Sequence, residues 1–227
     1  MKTYTVAVLG ATGAVGQEMI KVLQERNFPV GKLVPLASVR SAGKTVKFRG
    51  EDVTIQEAAD TAFKGVDIVL GAAENDIAKK FAPAIVASGA VFVDNSSAFR
   101  LNPEVPLIVP EVNPEDVKNH KGIISNPNCS TIITVTAVNA LNTIAPIRTM
   151  TASTYQAVSG AGAGGLLFKG IEGHHGLLAG QVGYSPHHHE GHPVGGGSLR
   201  DGGALHLDAV ALRGGDGGGL CFASAHE

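Results

Sequence analysis

The chain has 227 residues, 44% of them hydrophobic, with 18 basic against 20 acidic side chains. That length can bury a sizeable core in one large or two smaller domains, and the near balance of charge excludes a nucleic-acid surface, which needs a basic excess. Two cysteines, Cys129 and Cys221, make no disulfide framework, no apolar stretch reaches membrane-span length and no signal-peptide pattern precedes Tyr4, so a cytoplasmic protein without membrane or nucleic-acid partners is expected.

Tyr4-Thr5-Val6-Ala7-Val8-Leu9 is a short apolar, β-branched run that predicts a buried parallel strand. It enters Gly10-Ala11-Thr12-Gly13-Ala14-Val15-Gly16, and a helical pattern continues through Met19, Ile20, Val22 and Leu23. Strand, glycine loop and helix in this order open a dinucleotide-binding βαβ unit, although the spacing is G-x-x-G-x-x-G rather than G-x-G-x-x-G. A second strand over Leu33 to Ala37 ends in Ser38-Val39-Arg40-Ser41. Folds that prefer NAD place an acidic side chain near this point for the ribose 2′-OH; Arg40, between Ser38 and Ser41, suits a 2′-phosphate instead, so NADP is the expected cofactor. Val66 to Leu70 reads as a strand, Ile77 to Ala87 as a helix, and Val91 to Asp94 as a strand leading to Asn95-Ser96-Ser97-Ala98-Phe99-Arg100. Repeated βα units predict an α/β, Rossmann-like doubly wound parallel sheet with ligands at the strand C-terminal ends, where Gly71, Asn95 and Arg100 fall. Arg100 in such a loop can hold an anion.

Gly122 to Ser125 is a further short apolar run, followed by Asn126-Pro127-Asn128-Cys129-Ser130-Thr131 and a helical pattern to Ile144. A cysteine at a helix start sits where backbone N–H groups lack helical partners and the dipole favours negative charge. Such a thiol is favoured as thiolate, and the same N–H groups can stabilise an oxyanion formed by its attack on a carbonyl. Cys129 is therefore the candidate nucleophile; a buried structural cysteine is the competing reading.

Taken together, Gly10 to Gly16, Ser38 to Gly43, Asp94 to Arg100, Val109-Pro110-Glu111-Val112-Asn113, Asn126 to Thr131 and Ser153 to Gly162 resemble the aspartate-semialdehyde dehydrogenases, nearly continuously from Tyr4 to Gly162. The resemblance implies that Cys129 forms an acyl-thioester with Asn128 beside it in the oxyanion region. It implies that Arg100 binds phosphate or the acyl phosphate and that Gln156 orients substrate. Gly10, Thr12, Gly13, Ala14 and Val15, with Arg40 and Ser41, correspond to the NADP-binding set, and Ser159 and Gly160 to a second cofactor contact. The implied reaction is reductive dephosphorylation of L-aspartyl 4-phosphate to the semialdehyde, in lysine, threonine and methionine biosynthesis.

After Gly162 the resemblance stops. Of the 30 glycines, 20 lie from Gly160 onward, as do eight of the nine histidines. Glycine-rich sequence carries high unfolded-state entropy and little side chain to bury. The expected organisation is a nucleotide-binding domain over 1–128, the start of an incomplete α+β catalytic domain over 129–172, and a Gly/His-rich, loose tail over 173–227. The family's acid/base histidine and dimer-forming segment find no match in that tail, so the family's homodimer is not expected of this chain. His187, His188, His189 and His192 are adjacent rather than spaced like zinc ligands, and no metal is assigned. Three readings stay open: the NADP-dependent dehydrogenase, an inactive truncated or frame-shifted remnant that binds cofactor, and a related reductase such as acetylglutamyl-phosphate reductase.

Overall fold

The computed structural model describes residues 2–147, 150–156 and 178–183. They divide into two compact units, the first Met1–Ile108 with Asn113–Asn126, the second Val109–Val112 with the chain from Pro127 on.

In chain order the first unit contains β1 (Tyr4–Leu9), α1 (Ala14–Glu25), β2 (Val30–Ala37), β3 (Thr45–Phe48), β4 (Glu51–Thr54), β5 (Gln56–Glu57), β6 (Ile68–Gly71), α2 (Asn75–Ala87), β7 (Val91–Asp94) and β8 (Ile123–Ser125). Six strands form one sheet in the order β5-β2-β1-β6-β7-β8, and every neighbouring pair is parallel. The chain moves outward from β1 to β2, then returns to place β6 on the other side of β1. This reversal opens a crevice at the carboxyl ends of β1 and β6, the position where doubly wound sheets bind ligands.

The period-2 pattern of β1 explains its central place. Val6 and Val8 pack with Ile20 and Leu23 of α1, whereas Ala7 and Leu9 join Phe81, Ala82 and Ile85 of α2, so both faces are buried. Phe63, Ile85 and Phe92 are fully buried in the second of these clusters, and Phe63 meets Phe81 edge-on at 5.6 Å. Each such side chain contributes about 1.5–3 kcal/mol of transfer free energy.

β2 begins at Val30, ahead of the expected Leu33, because Val30 finds Tyr4 of β1 as a ladder partner. The antiparallel β3–β4 hairpin was not legible in the sequence. Its two-residue loop, Arg49-Gly50, has φ of 52° and 85°, the paired positive values of a tight hairpin turn. Glycine takes that conformation freely; Arg49 is held in it by Nη1 and Nη2 donating to the Val30 and Phe28 carbonyls and by its N–H donating to Gln24 Oε1.

The second unit contains α3 (Cys129–Ile144), β9 (Thr151–Gln156) and β10 (Leu178–Gly183). Val138, Met150 and Ala152 are buried together with Ile147 packed on them. Val109–Val112 joins this unit as a turn, with Val112 N–H donating to the Val109 carbonyl. β9 and β10 pair antiparallel from Leu178 opposite Gln156 to Gly183 opposite Thr151. That strand lies in the stretch whose composition leads one to expect a loose tail. The Gly- and His-rich runs beyond Gly183 lie outside the described residues.

Candidate cofactor and nucleophile sites

The glycine turn is built by backbone contacts at the carboxyl end of β1. Gly10 has φ +89°, and its N–H and that of Ala11 both donate to the Leu36 carbonyl of β2 at 2.9 and 3.0 Å. A Cβ on Gly10 would lie 2.6 Å from the Ala72 carbonyl oxygen, and one on Gly16 would lie 2.3 Å from the Gly10 carbonyl oxygen. These two glycines let the β1 and β6 loops and the first turn of α1 approach one another. Gly13 differs: an added Cβ would meet only the Gly10 oxygen, at 3.5 Å. Gly13 is the N-cap of α1, no side chain among the described residues caps that helix, and its first turn holds no acidic residue. Thr12, Gly13, Ala14 and Val15 are all exposed there. A bare turn leading into an uncapped helix N-terminus fits the pyrophosphate of a dinucleotide.

Arg40 lies in a single turn of 3-10 helix, Val39–Ser41, immediately after β2. Ser41 N–H donates to the Ser38 carbonyl at 2.9 Å, closing that turn. Because β1 and β2 are parallel neighbours, Arg40, Ser41 and the glycine turn share one edge of the sheet, with the Arg40 side chain exposed.

Arg100 occupies the loop after β7 on the same edge and is 9% exposed. Its Nε donates to the Asn126 carbonyl and its Nη2 to the Asn95 carbonyl, each at 3.0 Å. Further hydrogen bonds tie the loop, among them the Asn95 N–H donating to the Gly71 carbonyl at 3.1 Å. Ser96 donates through its N–H and hydroxyl to the Asp94 carboxylate, at 3.2 and 2.6 Å. Asn126 Nδ2 donates to Asn95 Oδ1 at 2.6 Å. Asn75, the first residue of α2, accepts the Ser97 N–H at 3.0 Å and donates to the Ser97 hydroxyl at 2.9 Å. Asp94 is fully buried, and that burial raises its carboxyl above the ordinary range, opposed by the Ser96 bonds and by the Arg100 charge. Sequence reasoning missed Asn75; the signal was an asparagine at the start of a helix that leaves a strand's carboxyl end. It also gave no role to Asp94-x-Ser96, an Asx-turn pattern at a strand end.

In the second unit, Cys129 is the first residue of α3 and is exposed, which removes the reading of a buried structural cysteine. Asn128 is the N-cap, 1% exposed, with its side-chain oxygen accepting the Ser130 N–H at 2.9 Å and its carbonyl accepting the Ile132 N–H at 2.9 Å. The Ser130 N–H, one of the first-turn donors expected for an oxyanion, is thus engaged by the cap. Gln156 ends β9. Ser159, Gly160, Cys221 and the histidine clusters lie outside the described residues. Among the described residues no cluster of His, Cys, Asp and Glu is placed to hold a metal ion, and no helix is long and apolar enough to cross a membrane.

A reversed parallel sheet with a bare glycine turn at its switch point is the arrangement of a dinucleotide-binding α/β domain. The family profile described as semialdehyde dehydrogenase, NAD binding domain, matches residues 5–120, just over half of the chain, which belongs to that family. Over 158 residues the chain is 55% identical to an aspartate-semialdehyde dehydrogenase of Synechocystis, an alignment covering 70% of this chain and 47% of the relative. A solved aspartate semialdehyde dehydrogenase II from Vibrio cholerae, complexed with ASA, is 43% identical with a TM-score of 0.69, covering 73% of this chain and 50% of that one. Another, from Candida albicans with NADP, is 29% identical with a TM-score of 0.55, covering 70% and 52%. The chain spans about half the length of the curated relatives it matches.

Proposed function

We propose that this chain carries the cofactor-binding and cysteine-bearing part of an NADP-dependent aspartate-semialdehyde dehydrogenase. The observation that supports this most is Cys129: an exposed thiol at the first position of α3, N-capped by Asn128, within the segment 55% identical to a relative of that name. In the biosynthetic direction the Cys129 thiolate attacks the acyl carbon of L-aspartyl 4-phosphate. A C–S bond forms, the C–O bond to phosphate breaks, and inorganic phosphate departs, leaving a thioester on Cys129. When bound, NADPH would supply the hydride that reduces the thioester carbon; collapse of the resulting oxyanion would break the C–S bond, release the semialdehyde and regenerate the Cys129 thiolate.

Arg100 neutralises the phosphoryl group as it binds and leaves, through a guanidinium held by two carbonyls before substrate arrives. Gln156 orients the amino-acid portion. Arg40, between Ser38 and Ser41, selects the 2′-phosphate of NADP, and Ser159 with Gly160 makes the second cofactor contact. A reducing cytoplasm suits an exposed thiol that must remain unoxidised.

The composition change from Gly160 onward favours a second reading, cofactor binding without turnover. A single experiment separates the two. The full chain is supplied with NADP, phosphate and L-aspartate 4-semialdehyde while NADPH absorbance is followed, and Cys129 is labelled in parallel with an electrophilic substrate analogue. Turnover that Cys129→Ala abolishes, with NADP binding retained, supports the dehydrogenase. Labelling of Cys129 and NADP binding without turnover support the remnant. Absence of both NADP binding and selective labelling of Cys129 refutes the family reading of the site. Replacing the substrate with the acetylglutamate semialdehyde tests the related reductase.

A further inference from the structure

The Arg100 loop is held from outside by a residue to which no role has been given. Asn75 stands 22 positions before Ser97 in the chain, at the start of α2, and both ends of its amide are spent on that serine. Its Oδ1 accepts the Ser97 N–H at 3.0 Å and its Nδ2 donates to the Ser97 hydroxyl at 2.9 Å. Other polar ties in the loop are short-range, as in Asp94 with Ser96, reach Asn126, or join the Asn95 N–H to the Gly71 carbonyl at 3.1 Å. Asn75 links the arginine loop to the neighbouring βα connection. That connection is itself fixed, because Ala72 packs so closely against Gly10 that a Cβ there would clash with the Ala72 carbonyl.

We propose that Asn75 is a positioning residue for Arg100: by clamping Ser97 it fixes the loop backbone from Asn95 to Arg100, and so sets the pose in which the guanidinium receives phosphate. The inference rests on the reading of Arg100 as the phosphate-binding arginine. The chemistry follows from the shape of the groups. A planar guanidinium binds a phosphate through paired N–H bonds whose strength depends on orientation, unlike the point charge of an ammonium. Arg100 takes its orientation from the Asn95 carbonyl, which lies within the loop, and from the Asn126 carbonyl. Releasing Ser97 frees the segment between those contacts. The competing anchors are the Asn95 N–H, donating to the Gly71 carbonyl at 3.1 Å, and Phe99, which packs edge-on against Phe92 at 6.3 Å; if they suffice, Asn75 is dispensable.

The test is a titration of the full chain with inorganic phosphate, followed by phosphorus NMR, with NADP affinity measured beside it. Asn75→Ala is expected to weaken phosphate by about tenfold, the scale of a lost hydrogen-bond pair acting through one charged contact, while NADP affinity stays within about twofold of the parent. In an Arg100→Lys background the same Asn75→Ala change is expected to do nothing further, since an ammonium has no fork to orient. Asn75→Ser, which cannot reach both Ser97 groups, carries the same comparison should the alanine variant not fold. Unchanged phosphate affinity in a folded Asn75 variant, or an equal loss in the parent and Arg100→Lys backgrounds, overturns the positioning role alone. Failure of the parent chain to bind phosphate at all overturns the role of Arg100 and this inference with it.

Discussion

The side-chain oxygen of Asn128 accepts the Ser130 N–H at 2.9 Å, so the residues on either side of Cys129 are tied to each other across the sulfur-bearing position. The Asn128 carbonyl also accepts the first helical bond, from Ile132. This one residue therefore starts α3. Asn128→Ala removes the cap and is expected to cost about 0.5–2 kcal/mol, with Asn128→Ser recovering part of that. Urea unfolding gives the stability, and amide exchange at Ser130 gives the local effect, which is expected to accelerate in the alanine variant only. Equal exchange in both variants would show that the cap is not what orders the first turn.

The three glycines of the first turn separate into two jobs. At Gly16 a methyl group would press within 2.3 Å of the Gly10 carbonyl oxygen, whereas at Gly13 it would meet nothing closer than 3.5 Å. Gly16→Ala is expected to destabilise the first unit by about 1–3 kcal/mol, the usual cost of overpacking. Gly13→Ala is expected to leave the melting temperature nearly unchanged and to weaken NADP, because the methyl occupies the face that a pyrophosphate must approach. Thermal melts with and without NADP distinguish the two. A Gly13→Ala protein that binds NADP like the parent would remove the turn from the cofactor site.

Much of this arrangement was legible in the sequence because it depends on local rules. The run Tyr4 to Leu9, buried on both faces in the structure, announces itself as continuous β-branched and apolar sequence. The glycine turn and Cys129 at a helix start are equally local, since each is specified by a handful of adjacent residues. What stayed hidden depends on long-range partners. The β3–β4 hairpin has charged strands, Glu51-Asp52 and Lys47, and a turn whose Arg49 is stabilised by the carbonyls of Phe28, before β2, and Val30, at its start. Asn75 looks like any helix-start asparagine until Ser97 is seen beside it. Leu178 to Gly183 lies in low-information sequence, and only its pairing with β9 marks it as a strand.

Arg40 is exposed on the turn after β2, on the sheet edge that carries the glycine turn. Removing its guanidinium by Arg40→Ala is expected to weaken NADP by one to two decades, from a charged hydrogen bond worth about 1.5–3 kcal/mol. NAD, which lacks the 2′-phosphate, is expected to change by less than about threefold on the same grounds. The ratio of the two affinities, measured by fluorescence titration at one fixed salt concentration, is the readout. Equal losses for both cofactors would mean that Arg40 acts on a shared part of the dinucleotide, or only on the turn itself.

Asp94 offers a pH test of the loop that carries Arg100. Its carboxyl is raised from the usual 3.8 by burial, against the bonds from Ser96 and the charge of Arg100. An acid with a higher value in the folded state binds its proton more tightly there than when unfolded. The folded chain is thus favoured below the unfolded value, and that contribution is lost as pH rises from about 4 through the raised folded value. Asp94→Asn keeps a similar shape and cannot titrate. The stability of the parent relative to Asp94→Asn is therefore expected to fall as pH rises through this window and to level off above it. Other carboxylates titrate in both proteins and cancel in the difference. Repeating the comparison in an Arg100→Ala background removes the one cation that opposes the shift, so the window is expected to move to higher pH. A difference that rises with pH would mean that the bonds from Ser96 and the charge of Arg100 outweigh burial, and that Asp94 is an ion-pair partner first and a buried acid second.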